Sequence, residues 1–350
     1  MHKPTALFIL TPGFPENESD STCLPAQQNL IKSINKIYPG VKVIVFSFQY
    51  PFVKFEYTWQ GNTVYAFGGQ NRNGITRRVL WLKIMQQLNK LHQYYTVKGV
   101  LSFWCDECAY VASRFCRKFN YRHLCWLLGQ DVRAGNRYVS KIHEPGKTFV
   151  ALSDFASGMF KSNYNIQPIA TVPPGINTCD FEENNTTRDI DLLAAGSLIP
   201  LKQFDIFIQI AAALKIKSPG ITIVLSGDGP ELQKLKSIAF EKGLAANIHF
   251  KGSLPHTALL QLMQRSKIFL HPSSFEGFGM VCAEALYAGA QVISFCKPMN
   301  RVIKNWHIAE NTVDMQQKAM ELLLNLPASE KILIQSADDS ANTIMKLFCN

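Results

Sequence analysis

Two carboxylates with seven residues between them, Glu276 and Glu284, lie in the stretch HPSSFEGFGMVCAEALYAGAQVIS (271–294), which also holds a Gly277-Phe278-Gly279 turn. An ionised carboxylate only accepts hydrogen bonds, so such a pair suits hydroxyl groups. The two glycines let the backbone turn where a Cβ would clash, and 280–287 has helix-favouring composition closed by Gly289 as a C′ residue. The turn therefore empties into a helix N-terminus. Unpaired N–H groups and the positive dipole end there favour an anion such as a diphosphate. Glu276 falls just outside this helix and Glu284 within it, so the ligand that fits carries hydroxyls on both sides of its phosphates, as a sugar and a ribose would.

The elements that position this stretch follow from patterning. Short apolar runs alternate with helical patterns along the chain, the signature of βα units around parallel sheets. Strands are predicted at 5–10, 41–48, 97–104, 122–128, 148–152, 168–172, 190–195, 221–226, 247–250, 267–271 and 290–295. The class is α/β, with two Rossmann-like halves. The boundary is placed near 178–188, where Pro173-Pro174-Gly175 and the polar run 182–187 interrupt the pattern. This divides the chain into 1–180, 181–328 and a last amphipathic helix within 329–350. Ligands in open α/β sheets gather at the carboxyl ends of strands, so both halves are expected to offer loops to a shared cleft. Candidate loops in the first half are Thr11-Pro12-Gly13-Phe14-Pro15, then Trp104, Asp106 and Glu107, then Gly129, Gln130, Asp131, Arg133 and Asn136. Gly227-Asp228-Gly229-Pro230 is read as a structural strand-to-helix turn.

Composition bounds the alternatives. A length of 350 residues suits two domains, and 47% hydrophobic with 18% charged residues describes a globular chain. No window approaches a membrane span, and the run 6–10 is too short for a signal-peptide core. Nine cysteines scattered through apolar segments fit free thiols of a reducing compartment, so a cytoplasmic location is expected. Cys105-x-x-Cys108 has no second such pair, which argues against a zinc or redox centre. In a cytoplasmic chain the Asn-x-Thr triplets at Asn184 and Asn185 carry no meaning. A net charge of +10 favours anionic partners. The segment from Arg77 to Tyr95 mixes basic residues with an apolar stripe; it is read as a core-packing helix, with contact to the inner face of an anionic membrane as the alternative. No signature of nucleic-acid binding is present.

The E-x₇-E stretch resembles that of retaining GT-B glycosyltransferases of family 4, the group 1 type, and the resemblance extends over nearly the whole chain. AAGSLIPLKQFDIFIQIAAAL (194–214), IVLSGDGPELQKLKSIAFEKGLAANIHFKGSLPH (223–256) and VPPGINTCDF (172–181) are similar to further family segments. The resemblance implies a GT-B fold that moves a hexose-type sugar from a nucleotide diphosphate donor to a glycan or lipid-linked glycan acceptor. It implies that Glu276 acts at the transferred sugar, that Lys202 and the amides of Gly277, Phe278 and Gly279 stabilise the diphosphate, and that Glu284 holds the ribose. Gly13, Arg133, Gly196, Ser197 and Leu254 join the donor side, Asp131 the catalytic set, and Trp104, Asp106 and Glu107 the acceptor side. No cofactor is expected, and the absence of an Asp-x-Asp motif argues against a metal. Leu128 and Ser197 depart from the histidine and arginine usual in relatives, which leaves an inactive binding protein as one alternative; a nucleotide-sugar epimerase on the same scaffold is the other.

Overall fold

The computed structural model describes residues 3–182 and 187–349, so Asn184 and Asn185 lie outside the described residues, as does part of the 182–187 run. The chain divides into unit 1, residues 1–175 with 335–350, and unit 2, residues 176–334.

Unit 1 is built on an eight-stranded sheet. Its strands are β1 (Thr5–Gly13), β2 (Val41–Tyr50), β3 (Phe55–Trp59), β4 (Asn62–Ala66), β5 (Thr96–Phe103), β6 (His123–Leu127), β7 (Phe149–Ala151) and β8 (Ala170–Thr171), in the order β3-β4-β2-β1-β5-β6-β7-β8. Only the β3 to β4 pairing is antiparallel. Helices α1 (Pro25–Ile37), α2 (Ile75–Leu91), α3 (Glu107–Phe119) and α4 (Asp154–Tyr164) follow their strands. Residues 6–10 of β1 are all fully buried, which explains an unbroken apolar run where a half-exposed strand would alternate. Leu80, Ile84 and Leu88 of α2 and Val111, Ala112 and Phe115 of α3 close one face over Phe8, Phe46 and Val100.

Unit 2 carries a six-stranded, wholly parallel sheet. Strands β9 (Ile190–Ala195), β10 (Ile223–Ser226), β11 (Ile248–Gly252), β12 (Ser266–His271), β13 (Gln291–Ser294) and β14 (Trp306–Ile308) lie in the order β11-β10-β9-β12-β13-β14. Helices α5 (Phe204–Lys217), α6 (Leu232–Glu241), α7 (His256–Arg265), α8 (Met280–Tyr287) and α9 (Thr312–Leu324) pack on it. Phe207, Ile208 and Ala211 of α5 meet Met315 and Ala319 of α9 over Leu192, Leu225 and Leu270. The chain starts this sheet in the middle, builds outward on one side, then returns to build on the other. The reversal falls between β9 and β12, and the carboxyl ends of those two strands form the crevice where open α/β sheets bind ligands.

All eleven expected strands are present. The β3 to β4 hairpin and β14 were not anticipated. The last helix, α10 (Ala337–Leu347), fills only part of the 329–350 span, because Ser336 caps it by accepting from the Asp339 amide at 3.0 Å. It packs on α1, with a Lys36 to Asp338 ion pair at 2.6 Å and Tyr38 Oη donating to Asn342 Oδ1 at 3.0 Å.

Candidate active site of the second unit

At the switch point of unit 2 two loops are tied together. The Leu201 carbonyl, in the 200–202 turn after β9, accepts from the Ser274 amide at 3.0 Å and from the Ser274 and Ser273 hydroxyls, all in the loop after β12. This strap brings Lys202 beside Glu276, and the two side chains form an ion pair. The same Glu276 oxygen, Oε1, accepts from His271 Nε2 at 2.8 Å. His271 is the last residue of β12 and is fully buried; because an ionised carboxylate only accepts, its Nε2 carries the proton. Burial alone would push the Glu276 pKa up, but the bonds and charges of His271 and Lys202 outweigh it and hold the carboxyl at about 2. Glu276 is therefore an anion at neutral pH.

Beyond Glu276 the chain turns through Gly279, whose φ of +81° is left-handed, directly into α8. No side chain caps α8 and its first turn holds no acid, so its positive end stays available to an anion. Phe278 is buried edge-on against Trp306, which anchors the turn. About one turn into α8, Glu284 is buried and its Oε1 lies 2.8 Å from Nε2 of His256, the first residue of α7. The two carboxylates thus sit in separate polar clusters.

The floor is made of glycine. Gly196 follows β9 with φ +148°, and a Cβ on Gly227, itself at φ +140°, would come within 1.8 Å of the Gly196 carbonyl. Gly227→Ala is expected to cost about 3 kcal/mol or more through clash and backbone strain. Urea unfolding would show this as a lower midpoint with an unchanged slope.

The structure places the sequence-predicted residues in both units. In unit 2, Lys202 and Glu276 touch, with Gly196 behind them: a Cβ there would lie 3.9 Å from Lys202 Cε. Gly277, Phe278 and Gly279 form the turn into α8; Ser197 is exposed, and half-buried Leu254 sits two residues before His256. In unit 1, Gly13 belongs to β1, paired with Tyr50, so the strand takes in Thr11 to Gly13 and the loop begins three residues later than expected. Trp104, Asp106 and Glu107 follow β5, the neighbour of β1 across that sheet's own reversal. Asp106 caps α3 through the Cys108 amide at 2.7 Å, and its burial pushes its pKa up to about 7. Glu107 accepts from Gln49 and Trp81. Asp131 accepts from the amides of Cys105, Leu128 and Gly129, which organises the loop holding exposed Arg133. Burial outweighs those bonds and lifts its pKa to about 6. His271 and His256 were missed. His271 stands at a strand's carboxyl end and could have been noticed there, whereas His256, 28 residues from Glu284, left no local signal.

Residues 177–340, a little under half of the chain, match the family model for glycosyl transferases group 1. The phosphatidylinositol N-acetylglucosaminyltransferase gpi3 subunit of Schizosaccharomyces pombe is 28% identical over 133 residues, 37% of this chain and 29% of its own length. An uncharacterized glycosyltransferase of Haemophilus influenzae is 27% identical over 236 residues, 63% of this chain and 64% of its own. The chain thus spans under two thirds of these relatives. Anabaena HepE, solved with UDP and glucose, superposes with a TM-score of 0.69 at 15% identity over 99% of this chain and 96% of its own. The fold is GT-B, two Rossmann-like units.

Proposed function

We propose that the protein transfers a hexose-type sugar from a nucleotide diphosphate sugar to a glycan or lipid-linked glycan acceptor, with retention at the anomeric carbon. The observation that carries this reading is the convergence of Lys202 and His271 on Glu276 beside the uncapped start of α8, at the switch point of the sheet. The donor diphosphate would lie at that helix start, with Lys202 turning from Glu276 to the phosphates and Glu276 left to accept from sugar hydroxyls. Glu284 would accept from the ribose, held by His256. As the bond between the anomeric carbon and the phosphate oxygen breaks, the leaving phosphate takes the acceptor proton and the acceptor oxygen bonds to that carbon on the same face. Lys202 and the α8 amides stabilise the charge that gathers on the diphosphate. Asp131 is assigned a positioning role.

A panel of nucleotide sugars, read by the rise in melting temperature, would identify the donor. Turnover of that donor would then be followed with and without an acceptor extract. Consumption only with acceptor supports transfer; turnover without it favours epimerisation, and binding with no turnover an inactive protein. In the same assay Glu284→Ala is expected to raise the donor KM roughly 10- to 150-fold with little change in kcat, since a ribose contact is made equally in ground and transition states. An unchanged KM in the folded variant would remove Glu284 from the site.

A further inference from the structure

Unit 1 carries a second feature that the transfer reaction does not use. A groove of about 1420 Å³ runs between α2, α3 and the segment 137–141. Six of its cations, Arg78, Arg114, Arg117, Lys118, Arg137 and Lys141, form no ion pair among the described residues, and no carboxylate lines the groove. All six are exposed. Three of them are held by tyrosine faces: Arg114 and Lys141 lie over Tyr110, each at 5.8 Å, and Arg137 and Lys141 over Tyr138 at 5.3 and 5.5 Å. Such a surface costs self-repulsion and is relieved by a multiply anionic partner.

The outer side of α2 shows which partner. Its inner side, Leu80, Ile84, Leu88 and Leu91, is buried in the core. Ile75, Val79 and Leu82, spaced i, i+4 and i+7 on one helix face, are nevertheless 80%, 41% and 64% exposed. Leu82 and Arg78 line the groove itself, so apolar stripe and cations form one continuous surface. A soluble polyanion leaves such a stripe in water, and Tyr110 and Tyr138 already carry cations on their faces, which leaves them poor platforms for stacking a sugar or a base. A bilayer with anionic headgroups satisfies both halves at once.

We infer that this face of unit 1 docks on an anionic phospholipid surface, Ile75, Val79 and Leu82 entering the headgroup boundary while the six cations take lipid phosphates. Among the described residues no helix is long and apolar enough to cross a membrane, so the contact is a peripheral one. The inference goes beyond the transfer reaction and does not depend on it.

The test is co-sedimentation of the full chain with vesicles of phosphatidylglycerol and phosphatidylcholine, against vesicles of phosphatidylcholine alone. Binding is expected only to the former, and is expected to fall steeply as salt is raised. Arg114→Gln with Arg117→Gln should weaken partition about 30-fold, at roughly 1 kcal/mol per lost cation. Val79→Ser with Leu82→Ser should weaken it about 10-fold. Both variants should keep the wild-type melting temperature and nucleotide binding. Wild-type partition by the glutamine variant would overturn the inference, as would equal binding to neutral vesicles. Saturable binding of soluble polyphosphate or an anionic glycan without vesicle binding would overturn it in favour of a soluble ligand, and self-association abolished by Leu82→Ser in favour of a second copy. Loss of donor turnover with vesicle binding intact would count only against the proposed reaction.

Discussion

Lys202→Ala is expected to lower kcat by roughly 10²–10³-fold, the worth of one preorganised electrostatic donor to a leaving group. The geometry sharpens that expectation. In the ligand-free arrangement Lys202 is paired with Glu276, so the cation waits beside the site and turns to the phosphates when they arrive. Charge on a departing diphosphate grows along the reaction, and a cation beside it gains most at the transition state; kcat and kcat/KM should therefore fall together. Lys202→Arg, which keeps the charge but not the point geometry, should recover part of the loss. Wild-type turnover in a folded Lys202→Ala would show that another group neutralises the diphosphate.

Glu276→Gln should weaken binding of an intact nucleotide sugar far more than that of the free nucleoside diphosphate, because only the former carries the hydroxyls that Glu276 would hold. Calorimetry on both ligands reads the difference, and equal losses would remove Glu276 from the sugar side. A second readout needs no ligand. The folded Glu276 carboxyl titrates near 2, below its unfolded value of 4.5, so its stabilisation is fully present above the unfolded value and is lost as pH falls from about 4.5 towards 2. The size is on the order of 3 kcal/mol. Glutamine cannot titrate, so the variant should lose less stability than wild type across that acid window; identical acid limbs would show that His271 and Lys202 do not hold the charge.

What could be read beforehand was whatever is written locally. The turn at Gly277 to Gly279, α8 and its Gly289 terminus depend on neighbours in the chain, and they lie where the spacing placed them. The E-x₇-E pair was legible for the same reason. The groups that hold those carboxylates were less so, since the Lys202 pairing depends on the strap from Leu201 to Ser274 and the His256 contact on α7 lying against α8. Strand order is likewise tertiary: alternation announces parallel sheets but not the reversal between β9 and β12. The β3 to β4 hairpin had a signal, the Gln60-Gly61 turn with φ of +47° and +75° between alternating strands, which the search for βα units passed over. The 77–95 segment was read as a core helix, and α2 does pack that way; side-chain exposure was needed to reveal the apolar stripe on its other side.

The return of α10 to α1 gives unit 1 a timetable. Its Phe348 ring lies where any side chain at position 99 would have to go, 2.3 Å from a Cβ built on Gly99, so β5 of the central sheet is left uncovered there until residues 337–348 arrive. Unit 2 is a single uninterrupted stretch and needs nothing from later in the chain. On a ribosome the order of completion is therefore inverted: the unit begun first finishes last, its closing helix delivered after the whole of the second unit has been made. A nascent chain halted before residue 337 should hold a protease-resistant second unit behind a first unit that is still open to cleavage.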